Sequence, residues 1–403
     1  MMGRFATESP VLRMIIRIFL AGLVSWLFVT VANAQTVRVY LVAGQSNATG
    51  TGAQGQLAPP SHKIQTDVSF WYEEGHFDSV TDPSKRISSG GIVPLAFQAN
   101  NGSGTFFYSF GFGPELAIGR AWADWHSDLV AVVKFAFNGT YLATDWDPQT
   151  GPLYPEWLIE IQSALTALTN QGLSPQIEAV FWMQGEWDAR NVTFAAAYQS
   201  NLQSFIQRTR TDLGLPNLPF VLGRISTGIL NFAGPQFFPG FTAVRAAQEA
   251  VAAADLLVTI LDTDDVTFHA DNLHFDAAGI TRLGDRMVVS HAGLVHQGAP
   301  ELKRPTPGVT GEDNLYAVLG VTPGNSVWFL AGLQPAALPI PGCGGVAVGI
   351  QNPAIFGPVT ADADGNAYLK APAPAALSGI TLRLQGLDLF GCLVTSVVTY
   401  TFP

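Results

Sequence analysis

The stretch Tyr40–Gly50 reads YLVAGQSNATG. An apolar, strand-like run stops at Gly44, and Gln45, Ser46 and Asn47 come at once. A strand ending this way has two readings. It is a tight turn that happens to contain a serine, or it holds a serine where a small molecule can reach it. The stretch alone leaves both open, so the answer has to come from the rest of the chain.

Val37–Ala43 is a near-continuous apolar run, and so are Leu129–Phe137, Glu178–Met183, Phe220–Ile225 and Leu256–Leu261. Runs of this kind suit strands covered on both faces, as in a parallel sheet. Between them, Pro114–Trp125, Glu156–Leu168, Phe194–Leu213 and Phe241–Ala253 carry helical apolar spacing. The first opens on a proline, which an initial helical turn tolerates. A further helix is expected to begin near Asp276. Strand and helix alternating from Val37 to about Val295 argue for an α/β domain with a doubly wound sheet. The long Gly-, Pro- and Ser-rich segment 44–113 must contain long loops, with a hairpin expected around Val68–Tyr72.

Ligands of such sheets gather beyond the carboxyl ends of the strands. Ser46 lies just past the first strand. Asn138-Gly139-Thr140 lies past another, and Gln184-Gly185-Glu186 past a third. Three polar turns at one sheet edge favour the reachable-serine reading.

Composition narrows the partners. The 403 residues are nearly half apolar and only 13% charged, with a formal net charge of −11. Such a chain folds and packs rather than staying disordered. No Lys/Arg run occurs beyond the N-terminus, so nucleic acid is not an expected partner. A neutral polar substrate fits better than a strongly anionic one.

The N-terminus reads as an export signal. Arg4, Arg13 and Arg17 precede the apolar stretch Ile18–Val31, and Ala32-Asn33-Ala34 has the small-x-small pattern of a cleavage site. A stretch of that length is short of the roughly 20 residues that span a bilayer. Cleavage after Ala34 is expected, giving a secreted or periplasmic protein whose mature chain has no membrane span. Asn47-Ala48-Thr49 and Asn138-Gly139-Thr140 both fit the N-glycosylation pattern. A glycan at either would block the site, so bacterial export is the better fit.

Around Lys303–Gly308 the texture changes. The chain beyond this point is poor in charge, with short apolar runs between turn signals such as Pro323-Gly324-Asn325. The expected organisation is a signal at 1–34, an α/β domain at 35–300, a linker at 301–310 and a small all-β, sandwich-like module at 311–403. The two cysteines, Cys343 and Cys392, both fall in that module. In an exported chain they are expected to bridge, and a loop of that size would stabilise the module by about 4 kcal/mol in the chain-entropy account.

A nucleophilic hydroxyl needs a base, and the base needs an orienting group. DNLHFDAAG, residues 271–279, supplies Asp271 and His274 three positions apart. One short turn can present both to the same side. Acyl transfer also builds charge on an oxygen, and donors placed there contribute roughly 3–4 kcal/mol each to the barrier. The N–H of Ser46, the N–H of Gly139 and the side-chain amide of Gln184 are candidates. Gln45, Asn47, Asn138, Glu186, Trp146 and Trp187 are candidates for substrate binding or site support.

Six short blocks then occur in order: GQSN (44–47), GPE (113–115), NGTYL (138–142), WMQGEWDA (182–189), VRAAQ (244–248) and DNLHFDAAG (271–279). The set resembles the sialate O-acetylesterase and acetyl-xylan-esterase group of the SGNH hydrolases, over about Thr36 to Val295. The resemblance implies a flavodoxin-like three-layer α/β/α fold and a serine carbohydrate O-acetylesterase without a metal or cofactor. It makes Ser46 the nucleophile, His274 the base and Asp271 its partner, and it places Gly139 and Gln184 in the oxyanion hole. Asn138, Phe275 and Trp187 depart from the usual pattern and bear on substrate fit. Ala48 stands where a G-x-S-x-G elbow would need glycine, which counts against a lipase-like site.

Two other readings remain. Asp262, Asp264, Asp265, His269, Asp271 and His274 crowd into one stretch and could serve a metal-dependent hydrolase. A non-catalytic carbohydrate-binding protein on the same fold is the other. The sequence does not choose the acetylated glycan or the oligomeric state.

Overall fold

The run that contains the opening stretch forms β1 (Gln35–Gly44), and it lies inside the main sheet. The computed structural model describes residues 34–53, 60–99 and 110–403. Apart from its final residue, the expected export signal lies outside them. The other strands of this sheet are β2 (Ile64–His76), β3 (Ile87–Ser88), β4 (Val93–Ala96), β5 (Leu129–Asn138), β6 (Leu173–Met183), β7 (Phe220–Gly223) and β8 (Val258–Leu261). They lie in the order β8-β7-β6-β1-β5-β2-β3, with β4 also paired to β2. β1 runs parallel to β5, from Val37 beside Leu129 to Gly44 beside Ala136. β2 is parallel to β5, and β7 is parallel to both β6 and β8. The short β3 and β4 run antiparallel to β2.

The periodicity of β1 explains the layers. Successive side chains of a strand point to opposite faces. Val37, Val39 and Leu41 join one buried cluster, and Tyr40 and Val42 join another. The first cluster is completed by α3 (Leu153–Asn170), α4 (Val192–Asp212) and α5 (Phe241–Ala254), through side chains such as Trp157, Phe205 and Val244. The second is completed by α2 (Glu115–Trp125) and α6 (Ala277–Val295), through Ile118, Trp122, Leu283 and Met287. Helices on both faces of a sheet dominated by parallel strands give the three-layer α/β/α fold expected from the alternation. α1 is a single turn, Ser46–Thr49.

The Val68–Tyr72 stretch is not a hairpin. It is the interior of β2, whose residues pair in register with β5. Val68 and three consecutive aromatic residues suit a long strand, and the chain reverses only beyond His76.

The C-terminal region is all β, built from several antiparallel sheets. Glu301–Leu302, Asp313–Leu319 and Ala367–Pro372 make one sheet. Ser326–Gly332, Ala354–Thr360, Thr381–Asp388, Leu393–Val394 and Val398–Thr401 make a second, and Pro335–Pro339 pairs with Ala347–Ile350. Cys343 and Cys392 form a disulfide. The stretch 301–310, expected as a linker, carries the strand Glu301–Leu302 and a bridge from Thr306 to Leu315. Thr36–Pro403 forms one compact unit. Leu315, Ala317 and Leu319 belong to the same apolar cluster as α2 and α6. Lys370 reaches Asp285 at 2.5 Å, and Thr259 donates to Asp364 at 2.7 Å. The β region is thereby fastened to α6 and to β8. Among the described residues, no helix is long and apolar enough to cross a membrane.

Candidate active site

In this strand order the sheet reverses direction of growth beside β1, at the crevice between β1 and β6, and the polar turns lie at its carboxyl edge. β1 ends on Gly44 at φ +137°, where a Cβ would stand 2.1 Å from the Met183 carbonyl oxygen. Only glycine fits so close a neighbour strand. Gln45 N–H then donates to that same carbonyl at 2.9 Å. The chain turns at once into α1, with Ala48 and Thr49 donating to the Gln45 carbonyl at 2.8 Å each. Ser46 is thus the first residue of a sharply held turn, 6% exposed.

Glu186 holds the residues on either side of it. Its carboxylate accepts from Asn47 Nδ2 at 2.9 Å and from Gln45 Nε2. Glu186 is almost wholly buried. Burial pushes its pKa up, while hydrogen bonds from Asn47 and Gln45 and the proximity of His274 work against the shift.

Asn47 also reaches the loop that carries His274. Its Oδ1 accepts from Phe275 N–H at 3.0 Å, and its Nδ2 lies 3.4 Å from the Leu273 carbonyl. The residue after the serine therefore grips the residues on both sides of the histidine, more than two hundred positions away. Two further ties join these segments. Thr51 Oγ1 donates to the Phe275 carbonyl at 2.7 Å, and His269 Nε2 lies 2.8 Å from the Thr51 carbonyl.

Within the loop, His274 Nδ1 stands 2.7 Å from Asp271 Oδ2. Asp271 Oδ1 accepts from the backbone N–H groups of Leu273 and His274 at 2.9 and 3.0 Å. Burial alone would raise the Asp271 pKa. The His274 ring and the two amides overcome it and bring the carboxyl down to about 2. An ionised carboxylate only accepts, so Nδ1 is the ring nitrogen that donates to it. Asp276 caps α6 by accepting from Gly279 N–H at 2.8 Å, which ends the loop.

Gly139 comes directly after β5 at φ +70°, a conformation that favours glycine. It lies beside Phe77 and Trp187, whose rings come within 3.3 and 3.6 Å of where a Cβ would stand. Phe77 is 56% exposed, and Trp187 is half-buried. Arg190 stacks on Trp187 and on Phe237, 4.5 and 4.3 Å from the ring centres. The N–H groups of Ser46 and Gly139 meet no acceptor among the described residues. The Asn138 side-chain oxygen is likewise buried without a partner.

One expectation needs correction. Gln184 does not offer its amide to an oxyanion. Its Nε2 hydrogens go to the Thr140 carbonyl at 3.1 Å and to Asp188 at 2.6 Å, and Tyr198 O–H donates to its Oε1 at 2.8 Å. All of these groups are buried, and no hydrogen is left over. Of the two roles open to Trp146 the structure gives site support, because it is fully buried among Phe135, Trp157 and Trp182. Its indole N–H donates to Thr140 Oγ1 at 3.0 Å, so it braces the turn that carries Gly139.

Sequence reasoning missed Asp188, Lys134 and Phe77. Asp188 accepts from Leu142 and Ala143 N–H at 2.8 and 3.2 Å as well as from Gln184. Burial pushes its carboxyl up to about 6 despite those bonds. Lys134, fully buried on β5, points its ammonium at the Thr49 carbonyl that ends α1 and pairs with Glu74 at 2.7 Å and Glu115 at 3.0 Å. A lysine inside an apolar strand run gives no signal of this in the sequence.

The acidic stretch considered as a metal site is otherwise occupied. Asp262 and Asp264 pair with Arg224, Asp264 also with Arg245, and Asp265 with Arg282 and Arg286. Among the described residues, no group of three His, Cys, Asp or Glu side chains could hold a metal ion.

An α/β/α sheet with a serine turn and an Asp–His loop at its switch point is an architecture suited to a hydrolase. Residues 36–292 match the family described as carbohydrate esterase, sialic acid-specific acetylesterase, and the chain belongs to it. That membership makes it a carboxylic ester hydrolase. A protein of Arabidopsis thaliana described as "Probable carbohydrate esterase" is 23% identical over 267 residues, covering 61% of this chain and 87% of its own. The crystal structure of a protein from Arabidopsis thaliana aligns with a TM-score of 0.47 at 22% identity, over 63% of this chain and 97% of that one. The crystal structure of NanS aligns with a TM-score of 0.48 at 18% identity, over 65% and 98%.

Proposed function

We propose that the protein is an exported serine esterase that removes O-acetyl groups from sugars. One observation carries the reading most. Asn47, in the turn that begins with Ser46, bonds the two residues flanking His274, whose ring faces Asp271 at 2.7 Å.

Ser46 Oγ attacks the ester carbonyl carbon while His274 Nε2 takes its proton. The charge that develops on the carbonyl oxygen faces the Ser46 and Gly139 N–H groups. Both N–H groups meet no acceptor among the described residues. As the C–O bond to the sugar breaks, the imidazolium returns the proton to the departing sugar oxygen, leaving an acetyl ester on Ser46. Water then loses a proton to His274 and attacks that ester; as the bond to Ser46 Oγ breaks, the imidazolium gives the proton to Oγ, and acetate leaves with Ser46 and His274 restored. Asp271 stays ionised throughout and holds the ring in the tautomer this sequence needs. Phe77 and Trp187, beside Gly139, supply an apolar flank for the sugar ring.

Ser46→Ala should fold normally by circular dichroism and lose hydrolysis of p-nitrophenyl acetate and acetate release from acetylated polysaccharides. Unchanged turnover would remove the assignment. Glycan binding without any hydrolysis by the wild-type chain would favour the non-catalytic reading instead.

A further inference from the structure

The C-terminal β region contains a cavity of about 290 Å³ that the proposed chemistry does not use. It lies between the two larger antiparallel sheets. Tyr316 and Leu369 line it from one, and Phe329 and Leu384 from the other. Phe329, Leu330 and Leu384 are buried, while Ala354, Phe356, Pro372 and Pro374 are exposed, so the space opens on the surface at those four residues.

The chemistry of the walls limits the occupant. Only two lining side chains carry a polar atom. Gln385 has both ends engaged, donating to the Thr395 carbonyl at 2.8 Å and accepting from Gly349 N–H at 2.9 Å. Tyr316 gives its hydroxyl to no acceptor among the described residues. A sugar ring has a hydroxyl on nearly every carbon, and here those groups would go unpaired at a cost. The pocket therefore does not suit a glycan. An apolar cavity of about 150 Å³ already takes up a benzene-sized guest, and this one has about twice that room.

We propose that the pocket binds an aliphatic chain of medium length whose polar end hydrogen-bonds Tyr316. A core left open at this size forfeits the contacts that adjacent buried side chains would make. An alkyl chain restores those contacts and leaves no wall group unsatisfied. The β region would then bring the esterase to an acylated molecule or surface, rather than serving as a second sugar site.

The test uses the full chain and two probes, the fluorescent dye N-phenyl-1-naphthylamine and decanoic acid. Saturable dye binding with one site per chain, displaced by decanoic acid, is expected. Ala371→Phe, which fills the space, and Leu377→Trp, at its partly exposed edge, should each weaken dye binding at least tenfold. Both should leave p-nitrophenyl acetate hydrolysis at the wild-type rate, which reports that the chain is folded. Tyr316→Phe should weaken decanoic acid about three- to tenfold, the effect of one lost hydrogen bond, and leave the dye unaffected. Absence of saturable dye binding would overturn the proposal. So would equal binding by the wild type and whichever filling variant retains hydrolysis. Equal decanoic acid affinity in Tyr316→Phe would overturn the role given to that hydroxyl.

Discussion

Asp271→Asn separates the two jobs this carboxylate performs. One oxygen accepts from the backbone N–H groups of Leu273 and His274, and the other faces His274 Nδ1 at 2.7 Å. An asparagine keeps the first set through its single oxygen. Its Nδ2 then faces Nδ1, and two donors cannot share one bond. The ring must present a lone pair at Nδ1 and carry its proton on Nε2, where it cannot accept from Ser46. In a triad of this kind the wrong tautomer costs about four orders of magnitude in kcat. The Asp271 side chain is 19% exposed, so water can take up part of the lost interaction. The expected loss is therefore about 10³- to 10⁴-fold, or ~4–5.5 kcal/mol in the barrier. KM should change little. The assay is initial-rate hydrolysis of p-nitrophenyl acetate across a range of concentrations, with thermal unfolding in parallel.

The same substitution has a pH signature. The carboxyl is at about 2 in the folded chain against an ordinary 3.8. A lowered acid pKa contributes stability that is fully present above the ordinary value and fades as pH falls toward the folded one. The stability gap between wild type and Asp271→Asn should thus close between about pH 4 and pH 2. Loss of less than tenfold in kcat would refute the tautomer argument. A gap that widened in acid would refute the assignment of the charge.

Glu186→Gln should lower kcat about 10- to 100-fold, since one of the two amide donors from Gln45 and Asn47 would face another donor, at roughly 1.5–3 kcal/mol for a bond to a charged group. A steady-state comparison checks it, and unchanged kcat would show that the clamp on the serine turn is dispensable. Glu74→Gln addresses the buried lysine cluster. Burial raises the Glu74 carboxyl to about 7 from an ordinary 4.5, so its contribution to stability is complete below 4.5 and lost as pH rises through about 7. Urea unfolding of wild type should weaken over that interval relative to Glu74→Gln, and parallel curves would contradict the shift.

Range along the chain separates the features the sequence disclosed from those it hid. β1 and the polar turn after it were legible because an apolar run ending in Gly44-Gln45-Ser46-Asn47 is a local pattern. The Asp271–His274 pair was legible because three positions suffice to bring the groups together. Gln184 was misjudged because its partners arrive from elsewhere: Asp188 four positions on, Tyr198 fourteen, and the Thr140 carbonyl forty-four before. An amide at a sheet edge looks the same in sequence whether its hydrogens face a crevice or a buried carboxylate. Trp146 raised the same ambiguity, and only the packing of Phe135, Trp157 and Trp182 around it resolved the matter. Lys134 was invisible because the charges that make its burial tolerable, Glu74 and Glu115, lie on a different strand and on a helix. Val68–Tyr72 misled because the long loops around it suggested a reversal, whereas its pairing along β5 is set by residues sixty positions later.

The central claim is that the acyl group passes through Ser46. Rapid acid quench of the wild-type chain with p-nitrophenyl acetate, followed by peptide mass spectrometry, tests it directly. One acetyl group on the peptide containing Ser46 is expected, more abundant when the attack of water is slowed and absent from Ser46→Ala. Steady turnover with no acetylated peptide at any quench time, or with the acetyl group on a different residue, would contradict the account.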